Sequence, residues 1–246
     1  MGRLKLIIAY DGAPFAGWQS QRHRNTIQDH LERAFAVITG ESVRVQGAGR
    51  TDAGVHALAQ CAHVDVNRLR IASDRLRAAL NSQLPPQIRV LRCSRVRAAF
   101  HARYSAREKT YRYVVWNAPV LPPHEHQRAW HVAEALNYDA MANAAAEFEG
   151  RHDFVGFAAS GGKPDNATIR TVGKVRVRRN GARIAFELTG NGFLYKMVRM
   201  MVGLLVQIGR GAVDRQELRR RLSTPITVRP RLVAPAEGLV LVRVRY

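Results

Sequence analysis

Acidic residues are scarce in this sequence. Asp and Glu number 19 in 246 residues, against 39 Lys and Arg, and the formal net charge is +20. A surface this positive repels itself unless an anionic partner compensates, and nucleic acid is the leading candidate. Long apolar runs are also lacking. None approaches the roughly 20 residues that span a bilayer, which argues against a membrane span. Cysteine is rare. Cys61 and Cys93 have no metal-ligand spacing, sit in apolar strand-like segments and read as small core residues in a reducing compartment. The start, Met1-Gly2-Arg3-Leu4-Lys5, runs into a strand-like segment with no signal-peptide core, so the cytoplasm is expected. His124 and His126 have no third spaced ligand and read as loop residues, so no metal is expected. Hydrophobic residues are not scarce. At 46% they suffice for a proper core and make wholesale disorder improbable.

The apolar pattern gives the element order. Leu4 to Tyr10 reads as a strand. Asn25-Thr26-Ile27-Gln28 looks like a capping box opening a helix on Ile27, Leu31, Ala34, Phe35 and Ile38, stopped at Gly40. Val43 and Val45 alternate with polar residues and predict a second strand; Ala62, Val64 and Val66 predict a third. Ser73 is the expected cap of a helix on Leu76, Ala79 and Leu80, ended by Pro85-Pro86, and Ile88 to Val96 is a fourth strand. The second half repeats the order. Tyr111, Tyr113 and Val115 mark a strand, and Tyr138, Met141, Ala142, Ala145 and Phe148 a helix. Two strands flank Asn180-Gly181, a type I′ hairpin signal. A long amphipathic helix carries Leu194, Met197, Val198, Met201, Leu204, Leu205 and Ile208; a short capped helix follows near Asp214, and Leu239 to Val244 is the last strand. The expected class is α+β: two ferredoxin-like β-α-β-β-α-β halves with mainly antiparallel sheets flanked by helices, over residues 1–105 and 106–246.

The stretch richest in chemistry is Gly47-Ala-Gly-Arg-Thr-Asp-Ala-Gly-Val-His56. Three glycines in eight residues suit an irregular loop whose backbone comes close to a ligand. Asp52 is the only acid between Ser42 and Val64, and Arg50 stands two residues before it. A lone carboxylate on a loop between strands is placed to act as nucleophile or base. Taken singly, such an Asp reads first as an Asx-turn residue that stabilises the loop. His56 reads as a support for the loop. A nucleotide-binding loop fits poorly, because the glycine spacing is not G-x-G-x-x-G and strand-like residues follow.

Five stretches, in order, tip that balance. With the 47–56 segment go Ile8-Ala-Tyr-Asp-Gly-Ala-Pro-Phe-Ala-Gly-Trp-Gln19, Phe100-His-Ala-Arg-Tyr-Ser-Ala106 with Lys109-Thr-Tyr-Arg-Tyr113, Gly192-Phe-Leu-Tyr-Lys-Met-Val-Arg-Met-Met-Val-Gly203, and Ala234-Pro-Ala-Glu-Gly-Leu239. Together they resemble the tRNA pseudouridine synthase A (pseudouridine synthase I) family over nearly the whole chain. The resemblance implies a cofactor-independent isomerase that converts uridines 38, 39 and 40 of the tRNA anticodon stem-loop, working as a homodimer. It implies roles by position. Asp52 matches the catalytic aspartate, Arg50 the arginine beside it, Tyr111 the tyrosine that packs on the target base, Arg199 the arginine that pairs with the aspartate, and Leu239 an apolar residue of the uridine pocket. The stretch from His152 to Ser160 departs from the family after His-Asp-Phe, which leaves the RNA contacts of residues 152–165 open.

Two basic clusters read as RNA-backbone contacts. Lys174, Arg176 and Arg178 alternate with Val175 and Val177 on one strand face, and Arg219-Arg220-Arg221 form a run. Two other classes compete with the enzyme. A non-catalytic RNA-binding protein with a duplicated ferredoxin-like fold explains charge and topology, but not the Asp, Arg and Tyr motifs together. A Rossmann-type dehydrogenase would need a helix after the glycines.

Overall fold

The computed structural model describes residues 2–22, 25–67, 71–159, 168–223 and 233–246. The chain divides into two compact units, Met1–Arg107 with Val240–Tyr246, and Glu108–Leu239. The last strand, expected to complete the second half, groups with the first unit.

The first unit contains β1 (Gly2–Tyr10), α1 (Ile27–Thr39), β2 (Gln46–Gly47), β3 (His56–Val66), α2 (Ser73–Gln83) and β4 (Ile88–Val96). β1 pairs antiparallel with β3 on one side and β4 on the other, and β2 pairs antiparallel with β3. That is the β-α-β-β-α-β order with β1 and β3 central. β2 is shorter and later than the Val43–Val45 alternation suggests. Val45 is buried, but its N–H donates to Glu32 Oε1 rather than to a strand. Thr26 caps α1, accepting from Asp29 N–H at 3.3 Å, while its hydroxyl donates to Asp29 Oδ2 at 2.6 Å. Gly40 closes the helix in the left-handed region, φ 69°. Ser73 is not the cap of α2. Ala72 holds that position and no side chain caps it.

The second unit contains β5 (Glu108–Trp116), β6 (Trp130–His131), α3 (Tyr138–Ala145), β7 (Gly150–Asp153), β8 (Ile169–Asn180), β9 (Arg183–Gly190), α4 (Met197–Gly209) and α5 (Arg215–Ser223). Its sheet runs β5-β9-β8-β7, antiparallel throughout, with β6 added parallel to β5. Asn180 pairs with Arg183, so the two-residue turn is Gly181-Ala182, not Asn180-Gly181. Gly181 takes φ 57° and Ala182 does not; glycine alone at the first central position marks a type II′ turn. α4 is less amphipathic than its stripe suggests. Eleven of its 13 residues are buried, all but Arg199 and Gln207.

The chain ends in β10 (Leu239–Arg245). Val240 and Leu241 pair in parallel with His56 and Ala57 of β3. Tyr246 then donates its hydroxyl to Ala102 O at 2.8 Å and packs on the small cluster of Ala48, Cys61 and Ala102. Backbone pairing and this apolar contact hold the last strand to the first unit. No described helix is long and apolar enough to cross a membrane.

Candidate active site

The loop of residues 48–55 joins β2 to β3, and its backbone is tied down at nearly every step. Ala48 N–H donates to Cys61 O at 2.7 Å, and Gln60 Nε2 donates to Gly49 O at 2.9 Å. Trp18 N–H donates to Thr51 O at 3.0 Å, and the buried Thr51 hydroxyl lies 2.9 Å from the Tyr10 hydroxyl. Val55 N–H closes a turn onto Asp52 O at 3.1 Å, with Gly54 third at φ 79°, where a side chain would be strained. Asp52 therefore stands half-buried at the head of a turn whose two flanks are fixed.

Close packing explains two glycines outside the helices. A Cβ on Gly12 would collide with the Val55 carbonyl. A Cβ on Gly47 would sit 2.6 Å from the Trp18 ring. Both keep the 10–18 segment pressed against the loop. Arg50 is exposed and donates through Nε to Gln19 Oε1 at 3.1 Å. His56 supports the other end. Its Nδ1 lies 3.1 Å from both the Gly12 N–H and Asp11 Oδ1. One nitrogen cannot serve both: unprotonated it accepts from Gly12, protonated it pairs with Asp11. Burial pushes the Tyr10 phenol up to about 12, against hydrogen bonds from Thr51 and Gln60 that pull it down, so Tyr10 stays neutral and acts as a strut.

In the second unit the structure brings Arg199 to the 234–239 segment. Arg199 Nε donates to Ala234 O at 2.7 Å, and Ala234 N–H returns a bond to Arg199 O at 3.1 Å. Tyr113 donates its hydroxyl to Pro235 O at 2.8 Å, and a Cβ on Gly238 would sit 2.6 Å from its ring. Burial raises the Tyr113 phenol, Glu237 adds to the rise, and Arg199 opposes it. Leu239 follows, nearly buried. Tyr111 lies two residues from Tyr113 on the same face of β5 and meets Phe193 edge-on, ring centres 5.2 Å apart. The run Arg219-Arg220-Arg221 is only partly neutralised: Arg219 shares Glu147 with Arg215, and Arg220 and Arg221 share Glu217. Of the divergent segment, residues 160–167 lie outside the described residues. Among the described residues, no group of three or more His, Cys, Asp or Glu could hold a metal.

Tyr10, Trp18, Thr51, Gln60 and Tyr113 had no assigned role in the sequence reading. Tyr10, Trp18 and Thr51 lie inside the motifs quoted above, but nothing local says that they touch.

The model of the tRNA pseudouridine synthase family matches residues 6–105 and 144–246. The chain belongs to this family. The tRNA pseudouridine synthase A of Akkermansia muciniphila is 43% identical over 253 residues, covering 100% of this chain and 96% of the relative. That of Acetivibrio thermocellus is 42% identical over 246 residues and covers both chains fully. The one from Thermoanaerobacter sp. is 39% identical over the same length. Pseudouridine synthases are isomerases, and this chain is one of them. For this pseudouridine synthase, the segments that carried the resemblance all fall inside the matched residues except Lys109-Thr-Tyr-Arg-Tyr113 and Ala106.

Proposed function

We propose that this isomerase converts uridines 38, 39 and 40 of the tRNA anticodon stem-loop to pseudouridine, with Asp52 as its catalytic carboxylate. The observation that carries the reading is the 47–56 segment. It presents one acid, in a loop fixed on both flanks, within a chain that belongs to a pseudouridine synthase family along its length. Arg50 and Arg199 support the carboxylate, Tyr111 packs on the target base, and Leu239 lines the uridine pocket. The enzyme acts as a homodimer in the cytoplasm.

The chemistry asks little beyond a carboxylate. The N1–C1′ bond breaks, the base turns, C5 bonds to C1′, C5 gives up its hydrogen, and N1 gains one. No electron or external group is transferred, so the reaction needs no cofactor. A carboxylate can open it by adding to the base, by attacking C1′, or by removing a sugar proton to give a glycal. The uridine must first leave its stack, which costs a few kcal/mol that protein contacts offset. A flat aromatic such as Tyr111 suits that task.

Asp52→Asn tests the assignment, being nearly isosteric. Tritium release from tRNA labelled at uridine C5 is expected to vanish, while thermal stability and tRNA affinity stay close to wild type. Residual turnover within about tenfold of wild type removes Asp52 from the catalytic role. Mapping pseudouridines in the product tests the three positions.

A further inference from the structure

The antiparallel sheet of the second unit has two unlike faces. On one, Tyr113, Val115, Ile184, Phe186 and Leu188 are fully buried beneath the helices. Successive side chains alternate, so the residues between them share the opposite face. The register sets them in rows. Arg176, Glu187 and Arg112 lie side by side across β8, β9 and β5, and Arg178 and Ala185 form the next row. Arg183 stands one step further along β9. Together these six residues line an open recess of about 300 Å³. All four arginines are exposed or half-exposed.

The charge in this recess is not cancelled. Glu187 holds Arg112 at 3.2 Å and Arg176 at 3.8 Å, and Arg183 bonds to Glu125 at 2.7 Å. Arg178 has no ionic or hydrogen-bonded partner among the described residues. Four guanidinium groups therefore share two carboxylates.

We infer that this arginine-lined sheet face, on the side away from Tyr111, is a docking surface for the phosphate backbone of the RNA substrate. It rests on the reading of the chain as an RNA-modifying enzyme and adds where the RNA backbone is gripped. Three features choose the occupant. Guanidinium forks bind phosphate oxygens in pairs, and four of the recess's six residues are arginine. Positions two apart along a strand are about 7 Å apart, a spacing that follows a phosphate chain. The recess is open to solvent, which lets a polyanion lie across it. A second copy of this chain is disfavoured because it would bring another strongly cationic surface against the same arginines.

The full-length protein and an unmodified, fluorescently labelled tRNA transcript test the inference by anisotropy over a range of KCl. The doubly substituted variant Arg176→Gln/Arg178→Gln removes two exposed cations of β8. Arg75→Gln/Arg77→Gln on α2 removes the same charge elsewhere. The β8 variant is expected to weaken binding by about tenfold or more at physiological salt and to make the log–log salt slope shallower by about two. Its kcat at saturating tRNA should be unchanged and its KM raised. Glu187→Gln should tighten binding. Affinity and slope equal to those of the α2 control overturn the inference, as does weaker binding by Glu187→Gln. A changed sedimentation coefficient of the β8 variant with unchanged RNA affinity also overturns it, by making the face a contact between copies. Wild-type tritium release separates the two failures. If wild-type enzyme converts no uridine, the proposed function falls; if it is active and the β8 variant binds like the control, only this surface falls.

Discussion

At the scale of single residues, the 48–55 loop is held in part by one buried hydroxyl pair. Thr51 precedes Asp52, and its hydroxyl meets that of Tyr10 at 2.9 Å, 41 positions away in sequence. Thr51→Val keeps the volume and leaves the Tyr10 hydroxyl with one partner fewer in a buried setting. Unfolding experiments should show a loss of about 1–2 kcal/mol. Turnover should fall about tenfold or more with little change in KM, because the carboxylate next in sequence is displaced, not removed. Thr51→Ser should restore both. A Val variant with wild-type kcat, or one not rescued by Ser, would deny Thr51 a positioning role. Asp52 stood out as a candidate in the sequence because it is the only acid in its stretch and the family resemblance outweighs its Asx-turn reading. Thr51 and Tyr10 were not, because each is an ordinary residue locally and their value comes from a contact that only the fold creates. Arg199 lies between these cases: its place off the apolar stripe of α4 was readable, and its bond to the Ala234 carbonyl was not.

At the scale of elements, periodicity located the helices and long strands, and local hydrogen bonding decided their ends. The Asn180-Gly181 signal found the β8–β9 hairpin but misplaced its turn by one residue, because the pairing register and not the dipeptide sets which two residues bend. α4 opens at Lys196 with φ 59°, a conformation no sequence pattern announces. The packing of β3 against the segment after β4 has a measurable consequence. His63 on β3 is 1% exposed, and its Nδ1 accepts from Ala102 N–H at 3.1 Å, which requires an unprotonated nitrogen. Burial, His101 and Arg3 push its pKa down to about 4, against a raising effect of Asp65. In the unfolded chain the ring titrates near 6.5. Between those values the unfolded state holds more protons, so the contribution is complete above pH 6.5 and drains away as the pH falls toward 4. Urea unfolding at pH 7.5 and 4.5 should show wild type losing about 2 kcal/mol more than His63→Gln, whose amide oxygen can keep the Ala102 bond. Staying above pH 4.5 keeps Asp65 out of the comparison, since the Arg3 side chain holds its carboxyl below the usual value of 3.8. Equal losses in the two proteins would remove His63 as the source.

At the scale of the molecule, charge sets the terms of every association. Each chain carries +20, so binding RNA and binding another copy respond to salt in opposite directions. RNA binding releases counterions and weakens as salt rises. Self-association brings like charges together, and salt screens that repulsion over about 10 Å at 0.1 M. A homodimer of this chain must therefore use a contact poor in Lys and Arg, with an apolar centre. The large apolar side chains left exposed include Val37, Leu58, Leu91, Val120 and Tyr195, which supply material for such a contact on either unit. Sedimentation velocity at micromolar protein and physiological salt is expected to give a two-fold dimer. Raising the KCl concentration should tighten the dimer while it loosens tRNA in a parallel binding series. A dimer that dissociates as salt rises would mean its contact is held by ion pairs, contrary to the charge argument. A clean monomer with full activity on tRNA would remove the dimer and leave Asp52 untouched.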